Sequence, residues 1–237
     1  MSLKLIVVAG PPSVGKTAVI KQIIRHISAT RKSAYLKVDV MRAFEDEEIA
    51  AEFGIPAKKI YSGDLCPDHM GIMVIRDALD WAEKEGAEFL IYESAGLCLR
   101  CTPYVTDSLG LCVLSAVSGT HTPLKMSPMI ALADMAVVTK TDLISQAEKE
   151  VFREHIRKVT PDIDVVETNA IQGTGIRYLL RAVDSMKPIP DMSKIMLRGT
   201  PPLGVCTICV GKRDIGWQEH FGVIRRLEDN DNIFRGE

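Results

Sequence analysis

The chain has 237 residues, of which 46% are hydrophobic and 25% charged, with a formal net charge of −2 and a pI near 6.2. At about 150 residues per domain this is one large domain, or one domain with an extension. These values exclude wholesale disorder and argue against a dedicated nucleic-acid binder, which carries a basic excess.

The predicted elements alternate along the chain. Lys4 to Ala9 reads as an apolar strand ending at a glycine. Lys16 to Ser28 has helical spacing in Val19, Ile20, Ile23, Ile24 and Ile27. Ser33 to Val38 is a second strand, and Asp46 to Phe53 a helix stopped by Gly54-Ile55-Pro56. Met70 to Lys84 is a longer helix, followed by a buried strand at Phe89 to Tyr92. Leu111 to Ala116 and Met135 to Thr139 are two further strands. Gln146 to Val159 is an amphipathic helix, Asp164 to Glu167 a strand, and Ile176 to Met186 a last helix. Apolar strands alternating with helices predict an α/β fold, a mostly parallel sheet with helices on both faces. After Met186 the texture changes. Pro188, Pro190, Pro201 and Pro202 mark a linker, so residues 1–188 form the main domain and 189–237 a linker and C-terminal extension.

The longest apolar runs, Leu5 to Ala9 and Ala131 to Val138, are too short or too interrupted to span a bilayer. The sequence enters a strand directly after Met-Ser-Leu, with no signal-peptide core, so a cytoplasmic protein without membrane insertion is expected.

Gly10-Pro-Pro-Ser13-Val14-Gly15-Lys16-Thr17 matches the Gly-x4-Gly-Lys-Ser/Thr phosphate loop, and it falls between the first strand and the first helix as that loop requires. This gives the P-loop NTPase three-layer fold. Backbone amides of such a loop converge on phosphate oxygens at a helix N-terminus. Lys16 is expected to reach the outer phosphates and Thr17 to ligate magnesium. Thr139-Lys140-Thr141-Asp142 follows an apolar strand at the place where GTPases carry Asn-Lys-x-Asp. The Asp142 carboxylate would accept two hydrogen bonds from guanine and be left unpaired by adenine. Asn169 and Ala170, after the next strand, are placed to approach the base through their backbone.

Six cysteines are present. In a reducing compartment, cysteines two or three residues apart point to metal or redox chemistry rather than to a disulfide framework. Cys66 and His69 lie in a loop before a helix, and Cys98 and Cys101 follow a buried strand. In a parallel sheet both segments emerge at the carboxyl edge beside the phosphates. Their thiolate and imidazole groups suit Ni2+ or Zn2+. Cys112 lies within a strand and reads as a small buried hydrophobe. His26, His121 and His155 read as surface or structural histidines. In the extension, Cys206-Thr-Ile-Cys209 suits one edge of a zinc or iron–sulfur site that His220 or another chain would complete. The alternative is a Gly-rich docking segment with incidental cysteines.

The loop from Gly10 to Thr17, the Glu93-x-x-Gly96 turn and the Thr-Lys-Thr-Asp box together resemble the CobW/HypB/UreG family of P-loop GTPases, and within it the nickel-incorporation members. The resemblance covers roughly residues 3 to 187 and includes Val117 to Lys125 and the neighbourhoods of Cys66 and Cys101. Cys66-Pro67 with His69 is similar to a Cys-Pro-His motif of the urease-type members, with Asp68 inserted. Pro11, Pro12 and Ser13 stand where the partitioning ATPases carry a second lysine. The resemblance implies a slow GTPase that, as a homodimer controlled by GTP and metal, delivers nickel to a client metalloenzyme or its accessory proteins. It implies that Glu93 senses magnesium and the γ-phosphate, and that Asp39 positions magnesium or water. Two other readings compete with it: a metal-storage scaffold with a structural nucleotide, and a P-loop small-molecule kinase or ATPase.

Overall fold

The computed structural model describes residues 3–40, 44–99, 101, 103–200, 213–220 and 224–229. Seven strands form one parallel sheet: β1 (Lys4–Ala9), β2 (Ser33–Asp39), β3 (Ala57–Tyr61), β4 (Phe89–Glu93), β5 (Ser108–Ser115), β6 (Met135–Thr139) and β7 (Asp164–Glu167). Their order is β3-β2-β4-β1-β5-β6-β7. The helices are α1 (Lys16–Ile27), α2 (Glu45–Phe53), α3 (Pro67–Lys84), α4 (Thr122–Lys125), α5 (Ser127–Ala131), α6 (Gln146–Val159) and α7 (Arg177–Ser185).

Side chains alternate across the central strand. Leu5, Val7 and Ala9 of β1 join one core with α3, α5 and α6, while Ile6 and Val8 join the other with α1 and α7. Helix α1 buries Val19, Ile20, Ile23, Ile24 and Ile27, one stripe at 3- and 4-residue spacing. Strand β1 lies between β4 and β5, and the chain leaves it on one side for β2 and later returns on the other through β5. Ligands of open α/β sheets bind beyond the carboxyl ends of the strands at such a switch point. The phosphate loop stands there.

Strand β3 is absent from the sequence reading. It pairs along β2 at the sheet edge, and of its five residues only Ile60 is buried. Helix α3 starts three residues earlier than the periodicity suggests, because Pro67 occupies its first turn, where the missing N–H costs nothing.

The described residues beyond 188 lie against the α3 core. Ile189 N–H donates to the Leu3 carbonyl (2.8 Å), and Leu197 forms an antiparallel bridge with Val105. The Arg198 guanidinium donates to the carbonyls of Val105 (2.9 Å), Leu132 (3.0 Å) and Ser108 (2.6 Å) and to the Asp134 carboxylate (2.7 Å). Gly216 N–H donates to the Ile72 carbonyl on α3 (3.0 Å), beside a fully buried Ile215. Cys206 and Cys209 lie outside the described residues. Among the described residues no helix is long and apolar enough to cross a membrane.

Candidate nucleotide site and cysteine loops

Two glycines set the shape of the phosphate loop. Gly10 has φ +154°, and a Cβ there would stand 2.2 Å from the Val113 carbonyl oxygen of β5. Gly96 has φ +71°, and its Cβ would stand 1.8 Å from the Gly10 carbonyl oxygen. Any side chain at either position would push the loop off the sheet or off the turn after β4.

Lys16 crosses the loop and donates to three carbonyls: Gly10 (2.9 Å), Pro11 (3.0 Å) and Ala95 (3.4 Å). Burial holds its pKa below the usual lysine value. The Thr17 hydroxyl donates to Glu93 Oε1 (3.1 Å), and the Tyr35 hydroxyl donates to Glu93 Oε2 (2.7 Å). Glu93 is 2% exposed. Asp39 accepts from the Val40 N–H through Oδ1 (2.7 Å) and faces Lys37 Nζ through Oδ2 (3.4 Å). Lys16, Thr17, Lys37, Asp39, Glu45 and Glu93 line a cleft of about 500 Å³. The Thr17 hydroxyl and the Glu93 and Asp39 carboxylates are hard oxygen donors, of the kind that suits magnesium beside a phosphate.

Thr139, in place of the usual asparagine, is 2% exposed and donates to the carbonyls of Val14 (2.5 Å) and Leu114 (3.2 Å). It thus ties the phosphate loop to β5. Lys140 takes φ +56° and donates to the Ser13 carbonyl (3.0 Å), while Asp142 lies exposed in the following turn. Asn169 Oδ1 accepts from the N–H groups of Ile171 and Gln172 (both 3.1 Å), and the Ala170 carbonyl accepts from Gln22 of α1 (2.9 Å). The residues Thr139 to Asp142, Asn169 and Ala170 therefore stand at the carboxyl edge of β6 and β7, beside the phosphate loop.

Of the predicted soft ligands, Cys66 and Cys101 come together. The Cys101 thiol donates to Cys66, and the backbone N–H of His69 at the start of α3 adds to it. Together these outweigh burial and lower the Cys66 pKa from 9.0 to about 6. Cys98 is half-buried and Cys101 buried. His69 is 1% exposed on α3, with its ring edge-on to that of His220 at 4.8 Å; burial, then the neighbouring His220, push its pKa down to about 4. Among the described residues no group of three or more His, Cys, Asp or Glu side chains converges to hold a metal ion. Burial raises Cys112 to about 12.

The depressed Cys66 value has a measurable consequence. The folded state favours the thiolate, so this contribution to stability is present above about pH 9 and fades as pH falls through about 6. Alkylation by iodoacetamide should follow the thiolate, with a midpoint near pH 6 for Cys66, while Cys112 stays unmodified at neutral pH. Peptide mass mapping across pH checks this. A Cys66 midpoint near 9.0 would contradict the Cys101 contact.

Several residues were invisible to sequence reasoning. Asp68, 1% exposed, accepts from the N–H groups of Gly96 (3.2 Å), Leu97 (3.1 Å) and Cys98 (2.7 Å) and from the Ser94 hydroxyl. It links the first turn of α3 to the turn that touches the phosphate loop. Burial raises its pKa against the pull of those donors. Tyr35 and Lys37 reach Glu93 from one face of β2. A lone lysine inside an apolar strand was the one available signal.

Comparison with known proteins places this geometry. The CobW/HypB/UreG nucleotide-binding domain matches residues 4–167. An uncharacterized protein of Methanocaldococcus jannaschii is 39% identical over 95% of this chain and 97% of its own length. The hydrogenase maturation factor HypB of Azotobacter vinelandii is 26% identical over 79% of this chain, which spans 62% of that relative. The crystal structure of the hydrogenase maturation factor HypB from Archaeoglobus fulgidus superposes with a TM-score of 0.62 at 21% identity, covering 77% of this chain and 89% of that one. With the phosphate loop, the sheet order and the Glu93 turn in place, the chain belongs to the CobW/HypB/UreG family and has its P-loop GTPase fold.

Proposed function

We propose that the protein binds and hydrolyses GTP with Mg2+ and uses that cycle to gate the delivery of nickel, or a transition metal of similar softness such as zinc, during metalloenzyme maturation. It does so as a dimer. The observation that carries the reading is the physical link between the two chemistries. Asp68, two residues after Cys66, fastens the Gly96–Cys98 backbone, and Gly96 abuts Gly10 of the phosphate loop. A change at the γ-phosphate therefore reaches the cysteines through packed backbone.

In the cycle, Lys16 would exchange its carbonyl partners for phosphate oxygens, and the Thr17 hydroxyl would be a ligand to magnesium. Magnesium, when bound, neutralises charge on the β- and γ-phosphates. Glu93 and Asp39 hold the neighbouring positions, and Asp39 orients the attacking water. Nickel is cargo. One protomer offers the Cys66–Cys101 pair, and a two-fold axis doubles it to four thiols. Such a set serves a square-planar nickel or a tetrahedral zinc ion. By linkage, whatever factor GTP imposes on metal affinity, metal imposes on GTP affinity, typically about 5–150-fold.

Analytical sedimentation of wild type and Cys66→Ala, with GTP, with nickel or zinc, and with both, tests this. Both ligands together should drive the wild type to dimer, and Cys66→Ala should lose the metal-dependent part. A dimer indifferent to metal, or identical behaviour of the two proteins, would overturn metal delivery. Multiple-turnover GTP hydrolysis by the wild type separates a switch from a storage scaffold.

A further inference from the structure

Lys37 lies in the middle of β2, a strand whose other charged residue, Asp39, stands at its end. It is 5% exposed, between Leu36 and Val38, which face the α3 core. A buried ammonium persists only where anions surround it. Its Nζ lies 2.5 Å from Glu45 Oε1, 3.4 Å from Asp39 Oδ2 and 3.7 Å from Glu93 Oε1. Glu93 Oε1 is also the oxygen that accepts the Thr17 hydroxyl at 3.1 Å. The ammonium and the hydroxyl that the phosphate-loop signature assigns to magnesium thus converge on one carboxylate, the hydroxyl also standing 3.3 Å from Oε2. Tyr35, two residues before Lys37 and so on the same face of β2, holds Oε2.

We infer that Lys37 is a positioning residue of the nucleotide site, a tethered cation that keeps Asp39, Glu45 and Glu93 together before a divalent ion arrives and sets how tightly they take one up. The inference rests on the magnesium-and-nucleotide reading of the cleft given above. Charge arithmetic supports it. Three carboxylates with the Lys37 and Lys16 ammoniums of the same cleft leave a charge of −1. Without Lys37 the same cleft carries −2, attracts a divalent ion more strongly and repels phosphate more strongly. Lys37 therefore keeps the free protein from loading the ion alone. Phosphate oxygens of a bound nucleotide would add the ligands that favour the ion. Glu45, in the first turn of α2, makes the shortest of these contacts, so the ammonium also fixes the start of that helix against the cleft.

The experiment is Mn2+ binding to the nucleotide-free full chain, read from the electron paramagnetic resonance of free Mn2+. Wild type, Lys37→Met and Lys37→Arg are compared, with GTP affinity measured in parallel in EDTA and in Mg2+. Lys37→Met should bind Mn2+ about tenfold more tightly or better and should bind GTP in EDTA more weakly by a similar factor, as the loss of one unit charge at this range dictates. Lys37→Arg, which keeps the charge, should behave as wild type. If Lys37→Met is unfolded without ions, Mn2+ should restore a cooperative thermal transition in it. Equal Mn2+ affinity in wild type and Lys37→Met, or an unfolded Lys37→Met that Mn2+ does not rescue, would overturn the inference. A wild type that binds no guanine nucleotide in Mg2+ would instead overturn the reading of the cleft on which it rests.

Discussion

Lys16→Ala is expected to slow GTP hydrolysis by about a hundred- to a thousandfold, the cost of losing one preorganised charge aimed at the transferring phosphate. The Lys16 ammonium is held by three carbonyl dipoles, and burial lowers its pKa. Carbonyl oxygens bear partial charge, whereas a triphosphate offers full negative charge, so the ammonium gains most when charge builds on the γ-phosphate. Interactions stronger in the transition state than in the ground state are the ones that raise the rate. Phosphate release under saturating GTP, alongside a thermal melt of the variant, checks this. Unchanged turnover would place hydrolysis elsewhere.

Asp142→Asn is the second large effect, and it changes preference rather than rate. An exposed carboxylate on the turn after Lys140 can accept two N–H bonds from the guanine edge. An amide there presents a donor to a donor. GTP affinity should fall by about a hundredfold, roughly 3 kcal/mol, the size expected when paired polar groups become mismatched. Xanthosine triphosphate, which carries an oxygen in place of the amino group, should gain. Competition between fluorescent guanine and xanthine nucleotides measures both arms. ATP binding to the wild type as tightly as GTP would remove the premise.

What the sequence disclosed divides along physical lines. Strands β1, β6 and β7 and helix α6 were legible to the residue, because each is a short apolar run or an amphipathic stripe bounded by turn residues. Helix α6 even announces its start with Ser145 and Glu148, whose side chains form a capping box. Strand β3 escaped because an edge strand with Lys58 and Lys59 has no apolar run to read. The phosphate loop and the guanine box were legible because backbone geometry demands fixed residue types at fixed spacing. Asp68, Tyr35 and Lys37 were not, since each acts across tens of residues of chain. Asp68 looked like an insertion spoiling a motif; in the structure it is the anchor of the next loop. His69 is spaced from Cys66 like a ligand, but α3 turns it into the core beside His220.

The Asp68 anchor also bears on how a metal could be selected. Cys66 precedes the first turn of α3, and the carboxylate on that turn clamps the backbone of Leu97 and Cys98. The Cys66 and Cys98 segments are therefore tied to each other through one carboxylate. In the dimer proposed above, the shape offered to the cargo then depends on how two such tethered pairs dock, as the fit of a clasp depends on the alignment of its halves. Preference for a flat or a tetrahedral ion becomes a quaternary property, tunable by substitutions at the subunit contact far from any sulfur atom.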